Sequence, residues 1–210
     1  MPRLPPKLSN IPALSPTMTK SISSNHHFLK STHPTKHFPS HQKSKRRRAM
    51  PPTDPTMQTA ARTFMHSPHI AVAGASSNPS KFGHQIFAWY LAHNLTPTPI
   101  NPSSPSITVA NKSFETVPSP ARLREPAQTS LSIITPPAVT AEILREARQV
   151  GVRAVWLQPG SFGEDELAFA EREFPGAAVG GFDDGTRGAE GWCVLVDGEK
   201  ALRESGREKL

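Results

Sequence analysis

The chain of 210 residues carries 24 Lys and Arg against 17 Asp and Glu, a formal net charge of +7, but this charge is unevenly distributed. Residues 1–66 contain eleven basic residues and one acid, whereas the rest of the chain has a net charge of −3. A basic tail on an acidic body argues against nucleic acid as the partner of the folded part. The single cysteine excludes an internal disulfide, and no apolar run approaches the roughly 20 residues that span a bilayer, so we expect a soluble protein without a membrane partner.

The first 56 residues are predicted to be a disordered basic tail, because they are rich in Ser, Pro, His and Lys and keep no apolar period. Two targeting functions compete with a plain linker. One is a mitochondrial transit peptide, although early prolines disfavour the amphipathic helix of such peptides. The other is a nuclear or nucleic-acid signal in KSKRRR at 43–48. We predict one folded domain over 57–210 and a cytoplasmic location, with the mitochondrion as the alternative.

Beyond residue 57 the sequence alternates between helix and strand patterns. In chain order it predicts a helix at 58–65, a strand at 69–75, a helix at 83–94, strands at 97–101 and 131–135, a helix at 138–150, a strand at 154–158, a helix at 164–174, and strands at 178–182 and 192–196. This alternation predicts a Rossmann-like, three-layer α/β domain with a mostly parallel sheet of about five strands. Ligands of such sheets bind at the carboxyl ends of the strands, where the strand order reverses.

The segment after the first predicted strand, GASSNPSKFG at 74–83, has the composition of a phosphate-binding loop. Gly74, Ala75 and Ser76 let backbone N–H groups approach an anion, the following helix adds its positive end, and Lys81 offers a cation. The loop is neither a dinucleotide fingerprint nor a Walker loop, since Ser76 and Pro79 stand where those motifs need glycine. This spacing argues against nucleoside triphosphate hydrolysis.

Three further strand ends carry informative residues. The second strand ends at Asn101-Pro102, without the acid that holds the ribose in NAD enzymes, which favours an adenine nucleotide with an extra phosphate. The third strand runs into Thr135-Pro136-Pro137, and the fourth runs into Gln158-Pro159-Gly160. Prolines stiffen both turns and remove N–H donors, so we expect largely apolar walls that suit an extended arm, with the Gln158 amide as a directional group.

Four motifs in this order resemble the single-domain CoA-binding proteins, whose fold is similar to the CoA-binding domain of the succinyl-CoA synthetase alpha subunit. The motifs are VAGASSNPSKFG (72–83), PINP (99–102), ITPP (134–137) and VWLQPG (155–160). The resemblance runs from about residue 69 to residue 196 and implies coenzyme A or an acyl-CoA as the ligand. It implies that the phosphates are surrounded by Gly74, Ala75, Ser76, Asn78 and Lys81, with Gly83 at the end of that loop. It places Asn101 and Pro102 beside the adenosine, and Thr135, Pro136, Pro137, Gln158 and Gly160 along the pantetheine arm.

No nucleophile, base and orienting group occur together in the sequence, so we expect a noncatalytic binding, carrier or sensor module without a metal. The alternatives are an NAD(P)-binding oxidoreductase and a small CoA-dependent transferase or ligase subunit. Whether the protein forms homo-oligomers stays open.

Three sets of residues outside the predicted binding loops have side chains that can react, donate to a ligand or bind a metal ion. Cys193, in GWCVLV, is expected to be a core residue of the last strand, with a reactive or CoA-disulfide-forming thiol as the alternative. His84 is expected to be an exposed residue at a helix start, with donation to a phosphate as the alternative. The acids Asp183, Asp184 and Glu190 are expected to form a solvated turn rather than a metal or acid–base site.

Overall fold

The computed structural model describes residues 55–182 and 191–207. The predicted tail lies outside these ranges apart from residues 55 and 56, so its disorder and its targeting functions stay predictions. Asp183, Asp184 and Glu190 also lie outside the described residues. None of the described helices is both long enough and apolar enough to cross a bilayer.

The described chain forms the following helices and strands. In order they are α1 (Pro55–Met65), β1 (His69–Ala73), α2 (Phe82–Ala92), β2 (Thr98–Ile100), β3 (Ser106–Val109), β4 (Lys112–Glu115), β5 (Thr129–Ile133), α3 (Pro137–Gln149), β6 (Ala154–Leu157), α4 (Glu164–Glu173), β7 (Ala178–Val179) and α5 (Val194–Glu204). Two short 3₁₀ turns, Pro120–Arg122 and Pro126–Gln128, precede β5.

Five of the strands form one parallel sheet in the order β2-β1-β5-β6-β7. Numbered along the chain within this sheet, the order is 2-1-3-4-5, a doubly wound arrangement. The chain leaves β1 towards one edge and β5 towards the other, so the strand order reverses between these two neighbours. The prediction of an α/β domain with a mostly parallel sheet of about five strands is confirmed.

Helices cover both faces of the sheet, and the sheet separates two hydrophobic cores. On one face α1, α2, α5 and the β3–β4 hairpin pack against Ile70, Val72 and Trp156. On the other face α3 and α4 pack against Leu131 and Leu157. Alternate side chains of a strand point to opposite faces. Because both faces are covered, every residue of β5 and β6 is buried, as expected of central parallel strands.

The strand predicted at 192–196 is wrong, because this segment begins a helix. Val194 is the first residue of α5 and Cys193 is its N-cap. A short apolar run fits a buried strand and the buried start of a helix equally well. The buried residues of α5 decide between them by their helical spacing, and they are Val194, Gly198, Ala201 and Leu202. Cys193 therefore does not belong to a core strand and is only partly buried.

The sequence predicted no element between residues 102 and 130, where the structure has a hairpin. Strands β3 and β4 pair antiparallel across Ala110 and Asn111, whose φ values are +50° and +60°. Two consecutive positive φ values are typical of the tight turns that join hairpin strands. The ring of Phe114 contacts that of Phe87 with centroids 5.0 Å apart, which packs the hairpin against α2. The other predicted elements are present, with bounds shifted by up to three residues.

Candidate ligand-binding cleft

A cleft of about 1130 Å³ opens at the carboxyl edge of the parallel sheet, where the strand order reverses. Its walls come from the ends of β1, β2, β5 and β6, from the first turn of α2, from α3 as far as Glu146, and from the segment 118–120. Helices α2 and α3 cover opposite faces of the sheet, so the cleft lies between their N-terminal ends. This is the position at which open parallel sheets bind ligands.

Eleven of the thirteen predicted ligand-binding residues line this cleft, although they come from four separate strand ends. They are Gly74, Ala75, Ser76, Lys81, Gly83, Asn101, Pro102, Thr135, Pro136, Pro137 and Gly160. The other two, Asn78 and Gln158, are not among the lining residues. The structure brings the eleven together, and their contact with a ligand stays a prediction.

Two glycines shape the loop after β1. Gly74 has φ +89°, and a Cβ there would lie 3.0 Å from the Ile134 carbonyl oxygen of the neighbouring strand end. Gly83, in the first turn of α2, packs directly on Gly74, since a Cβ at 83 would lie 2.0 Å from the Gly74 carbonyl oxygen. In the dinucleotide fingerprint the first and third glycines permit this kind of turn and this close helix–strand packing. Here the two glycines lie further apart in sequence, which hides the similarity from a spacing rule.

The loop after β1 and the start of α2 contain backbone N–H groups without an acceptor among the described residues. Among the described residues, no acceptor is bonded to the N–H groups of Ser76, Phe82 and Gly83, all of which line the cleft. The first N–H groups of a helix lack intrahelical partners and favour an anion. Lys81, the N-cap of α2, has an exposed side chain at the same place. This end of the cleft has the donors and the charge to bind a phosphate or diphosphate.

Side chains outside the cleft hold the phosphate-binding loop in shape. Asn78 Oδ1 accepts hydrogen bonds from the Ser80 N–H (3.0 Å) and hydroxyl (2.7 Å). His84 Nδ1 lies 3.1 Å from the Ser76 carbonyl oxygen, to which it donates. Ser77 Oγ accepts a hydrogen bond from the Thr108 N–H (2.9 Å), which ties the hairpin to the loop. Asn78 and His84 therefore act on the loop backbone in this structure.

Asn101 links the end of β2 to the same loop. Its Nδ2 donates to the Ala75 carbonyl oxygen (3.0 Å), and its Oδ1 accepts from the Ser103 N–H (2.8 Å). Both ends of the amide are thus engaged within the chain, and Asn101 lines the cleft as part of a fixed turn. Its backbone N–H donates to the Val117 carbonyl oxygen (3.0 Å), which places the segment 117–120 beside β2.

Gln158 is buried and joins three elements of the fold. Its Nε2 donates to Ser132 Oγ of β5 (3.1 Å), and its Oε1 accepts from the Val194 N–H at the start of α5 (3.0 Å). A polar residue directly after an apolar strand fits a ligand-facing position and a buried bridging position equally, and only the tertiary contacts separate the two. Here both ends of the amide are paired within the chain, away from the cleft.

The sequence did not predict one wall of the cleft. It consists of α3 and the segment 118–120, with the lining residues Pro118, Ser119, Pro120, Val139, Glu142, Ile143 and Glu146. Glu146 Oε1 accepts hydrogen bonds from Ser119 Oγ (2.7 Å) and from the Ala121 N–H (3.3 Å), which joins the two parts of the wall. In the sequence these glutamates look like ordinary solvent-facing residues of an amphipathic helix, so no local signal indicates their place.

The cleft therefore has a basic residue at the start of α2 and an acidic wall on α3. Of the described lining residues Lys81 is basic, whereas Glu142 and Glu146 are acidic. Phe82 and Val139, on the two opposed helices, keep 57% and 43% of their surface exposed at the cleft, where a ligand would cover them. Among the described residues no three His, Cys, Asp or Glu side chains converge as a metal ion requires.

This fold and this cleft define a doubly wound α/β domain with a cleft at its switch point, the position at which such sheets bind ligands. Residues 68–196 match the family described as CoA binding domain, which is more than half of the chain. The protein belongs to this family of CoA-binding domains. Membership supports coenzyme A binding in general.

Comparison with solved structures gives several matches. A hypothetical protein from Pyrococcus horikoshii OT3 has a TM-score of 0.52 and 18% sequence identity, covering 71% of this chain and 90% of its own. A conserved hypothetical protein from Pyrococcus furiosus has 27% identity and a TM-score of 0.45, covering 50% and 86% respectively. A protein from Thermus thermophilus has 26% identity and a TM-score of 0.49, covering 58% and 89%. No curated protein matches this chain.

Proposed function

We propose that this protein binds coenzyme A or an acyl-CoA in the cleft, as a noncatalytic binding, carrier or sensor module. The observation that carries this proposal is a group of backbone donors and a lysine at one end of the cleft, in a chain that belongs to a CoA-binding family. There the unpaired N–H groups of Ser76, Phe82 and Gly83, counted among the described residues, lie beside Lys81 at the start of α2.

The diphosphate would lie against this end of the cleft. Backbone N–H groups at a helix N-terminus donate to phosphate oxygens, and the helix dipole favours the negative charge. Lys81 adds a mobile ammonium group with three donors. Because Asn78, His84 and Asn101 already hold the loop backbone, little ordering entropy remains to be lost when the phosphates bind.

The rest of the cofactor would extend along the strand ends on either side. The adenosine would lie beside the turn at Asn101 and Pro102, and the pantetheine arm would pass Thr135–Pro137 and Gly160. The cleft volume of about 1130 Å³ exceeds the roughly 300–1,000 Å³ of ordinary small-molecule sites, as an extended cofactor requires. Proline-rich turns give this path rigid, apolar walls.

The noncatalytic role rests on the chemistry of the lining residues. Activation of a hydroxyl or thiol nucleophile usually requires an adjacent base, most often an imidazole. In the part of the chain that the structure describes, no Ser or Cys side chain of the cleft is hydrogen-bonded to a histidine ring, and His84 is engaged with a backbone carbonyl. The arrangement suits holding a thioester without attacking it.

Calorimetric titration of the full-length chain with CoA, acetyl-CoA, NAD and NADP tests the proposal. We expect CoA and acetyl-CoA to bind more tightly than either dinucleotide. Tighter binding of NAD, or no binding of CoA, would overturn the ligand assignment. Mass spectrometry of acetyl-CoA recovered after incubation tests the noncatalytic role, which turnover of the thioester to free CoA would contradict.

A further inference from the structure

The acidic wall of the cleft, formed by Glu142 and Glu146 of α3, has no part in binding phosphate. A carboxylate repels a phosphate and accepts hydrogen bonds from N–H donors. The acidic wall therefore faces a part of the ligand that carries N–H groups and no negative charge. Coenzyme A has such groups in two places, the 6-amino group of its adenine and the amides of its pantetheine arm.

Contacts along the chain place the acidic wall on the β2 side of the cleft. Ile100 of β2 forms a bridge with Val117, and the Asn101 N–H donates to the Val117 carbonyl oxygen (3.0 Å). Two residues further on, Ser119 Oγ donates to Glu146 Oε1 (2.7 Å). This connected path joins the end of β2 to the C-terminal half of α3. The β2 end is also where the proposed function places the adenosine, whereas the arm follows β5 and β6.

The two glutamates differ in their freedom to contact a ligand. Glu146 is half-buried, and one of its oxygens is engaged by Ser119 and Ala121. Glu142 lies one turn nearer the N-terminus of α3, is exposed, and has no hydrogen bond or ion pair among the described residues. Around them the lining includes the apolar residues Ile100, Pro118, Pro120 and Ile143.

Resting on the proposed function, we propose that Glu142 determines base specificity by accepting a hydrogen bond from the 6-amino group of the bound adenine. Apolar side chains suit the faces of a purine, and the exposed carboxylate of Glu142 on the same lining suits an exocyclic amine. A purine with an oxygen at position 6 presents an acceptor to the same carboxylate, so the two groups repel each other. The cleft therefore selects adenine over hypoxanthine.

The test compares CoA with its deaminated analogue, in which hypoxanthine replaces adenine, by calorimetry on the full-length chain. We expect the native protein to bind CoA about tenfold more tightly than the analogue, the effect of one hydrogen bond to a charged group. Glu142→Ala should weaken CoA binding, strengthen binding of the analogue, and bring the two within about twofold. Glu171→Ala, which removes an equal charge from the exposed face of α4 away from the cleft, should leave the tenfold preference intact.

Fragments of the cofactor distinguish the base from the arm. Glu142→Ala should weaken the binding of ADP and leave the affinity for 4′-phosphopantetheine unchanged. If the variant instead loses affinity for 4′-phosphopantetheine, Glu142 faces the arm and the inference is overturned. A native protein that binds CoA and its deaminated analogue equally would also overturn it while leaving the proposed function standing. Absence of CoA binding to the native protein refutes the proposed function itself.

Discussion

Replacing Gly83 by alanine tests how closely α2 packs on the turn after β1. A Cβ at this position would lie 2.0 Å from the Gly74 carbonyl oxygen and 2.9 Å from its carbon, where contacts under 3.0 Å are essentially never seen. Both partners are backbone atoms, so no rotamer change can relieve the overlap. The N-terminus of α2 would have to move away from Gly74 by about 1 Å or more.

The expected cost follows from two opposing terms. Overpacking of a well-packed site costs about 1–3 kcal/mol, and an overlap with fixed backbone belongs at the upper end of that range. Alanine is favoured over glycine inside a helix by about 1 kcal/mol, which offsets part of it. The free energy of unfolding should therefore fall by about 2 kcal/mol. With a urea m value of about 1–3 kcal/mol/M, the unfolding midpoint should fall by about 1 M.

Urea unfolding followed by tryptophan fluorescence measures this change, because Trp156 is fully buried in the native fold. Gly160→Ala is the matched control, since Gly160 also lines the cleft and has φ +80°, but a Cβ there meets nothing within 4 Å. The free energy of unfolding of this control should fall only by the strain of placing alanine in the left-handed conformation, about 1 kcal/mol. Gly83→Ala should also weaken CoA binding more than Gly160→Ala does, because the N–H groups of residues 82 and 83 move with the helix. An unchanged or raised midpoint for Gly83→Ala would refute the close packing of α2 on Gly74.

Three further predictions concern single side chains. Lys81→Ala should weaken CoA binding about three- to tenfold. The effect should be smaller at high salt, because salt screens this exposed ammonium group. Gln158→Leu should lower the free energy of unfolding by about 2 kcal/mol, since Ser132 Oγ loses its donor and the Val194 N–H its acceptor. Burial raises the pKa of the Tyr90 hydroxyl, so the unfolded chain releases this proton first, and stability should fall as pH rises above about 10, by about 1.4 kcal/mol per pH unit. Tyr90→Phe should remove this loss.

For each of these three predictions there is a direct measurement and an outcome that would contradict it. For Lys81, calorimetry at two salt concentrations should show the difference between variant and native protein shrinking, and equal affinities at low salt would remove the residue from the site. For Gln158, denaturation midpoints decide, and an unchanged midpoint would mean that its two hydrogen bonds are not made. Tyr90 is the only tyrosine of the chain, so ultraviolet absorbance follows its ionisation directly. Ionisation of the folded protein at the ordinary tyrosine pKa would contradict its burial.

Local patterns in the sequence predicted most of the elements and one end of the cleft. Periodicity of apolar residues is a property of short segments, so the helices at 83–94 and 138–150 and the strands at 69–75 and 154–158 were predicted within a few residues. The run from Gly74 to Gly83 indicated a phosphate loop for the same reason, because small residues before a helix are adjacent in the chain. Parallel strands align their carboxyl ends, which is why residues from four separate turns line one cleft.

Where local patterns were ambiguous, the tertiary structure decided. The run 192–196 suits a strand and a helix start, and its packing against α2 and the Gln158 amide makes it the start of α5. The hairpin turn at Ala110 and Asn111 lacks the glycine that usually signals such a turn, so it was not predicted.

Sequence by itself determined the fold class, the sheet edge at which the cleft lies and the family, because each depends on residues that are neighbours in the chain or on the alternation of elements. Only the tertiary structure decided which side chains line the cleft. It turned Gln158 inward to Ser132, 26 positions away, and Glu146 towards Ser119, 27 positions away, so that α3 supplies an acidic wall. Contacts at such separations depend on how the layers pack, and no period of 2 or 3.6 residues records them.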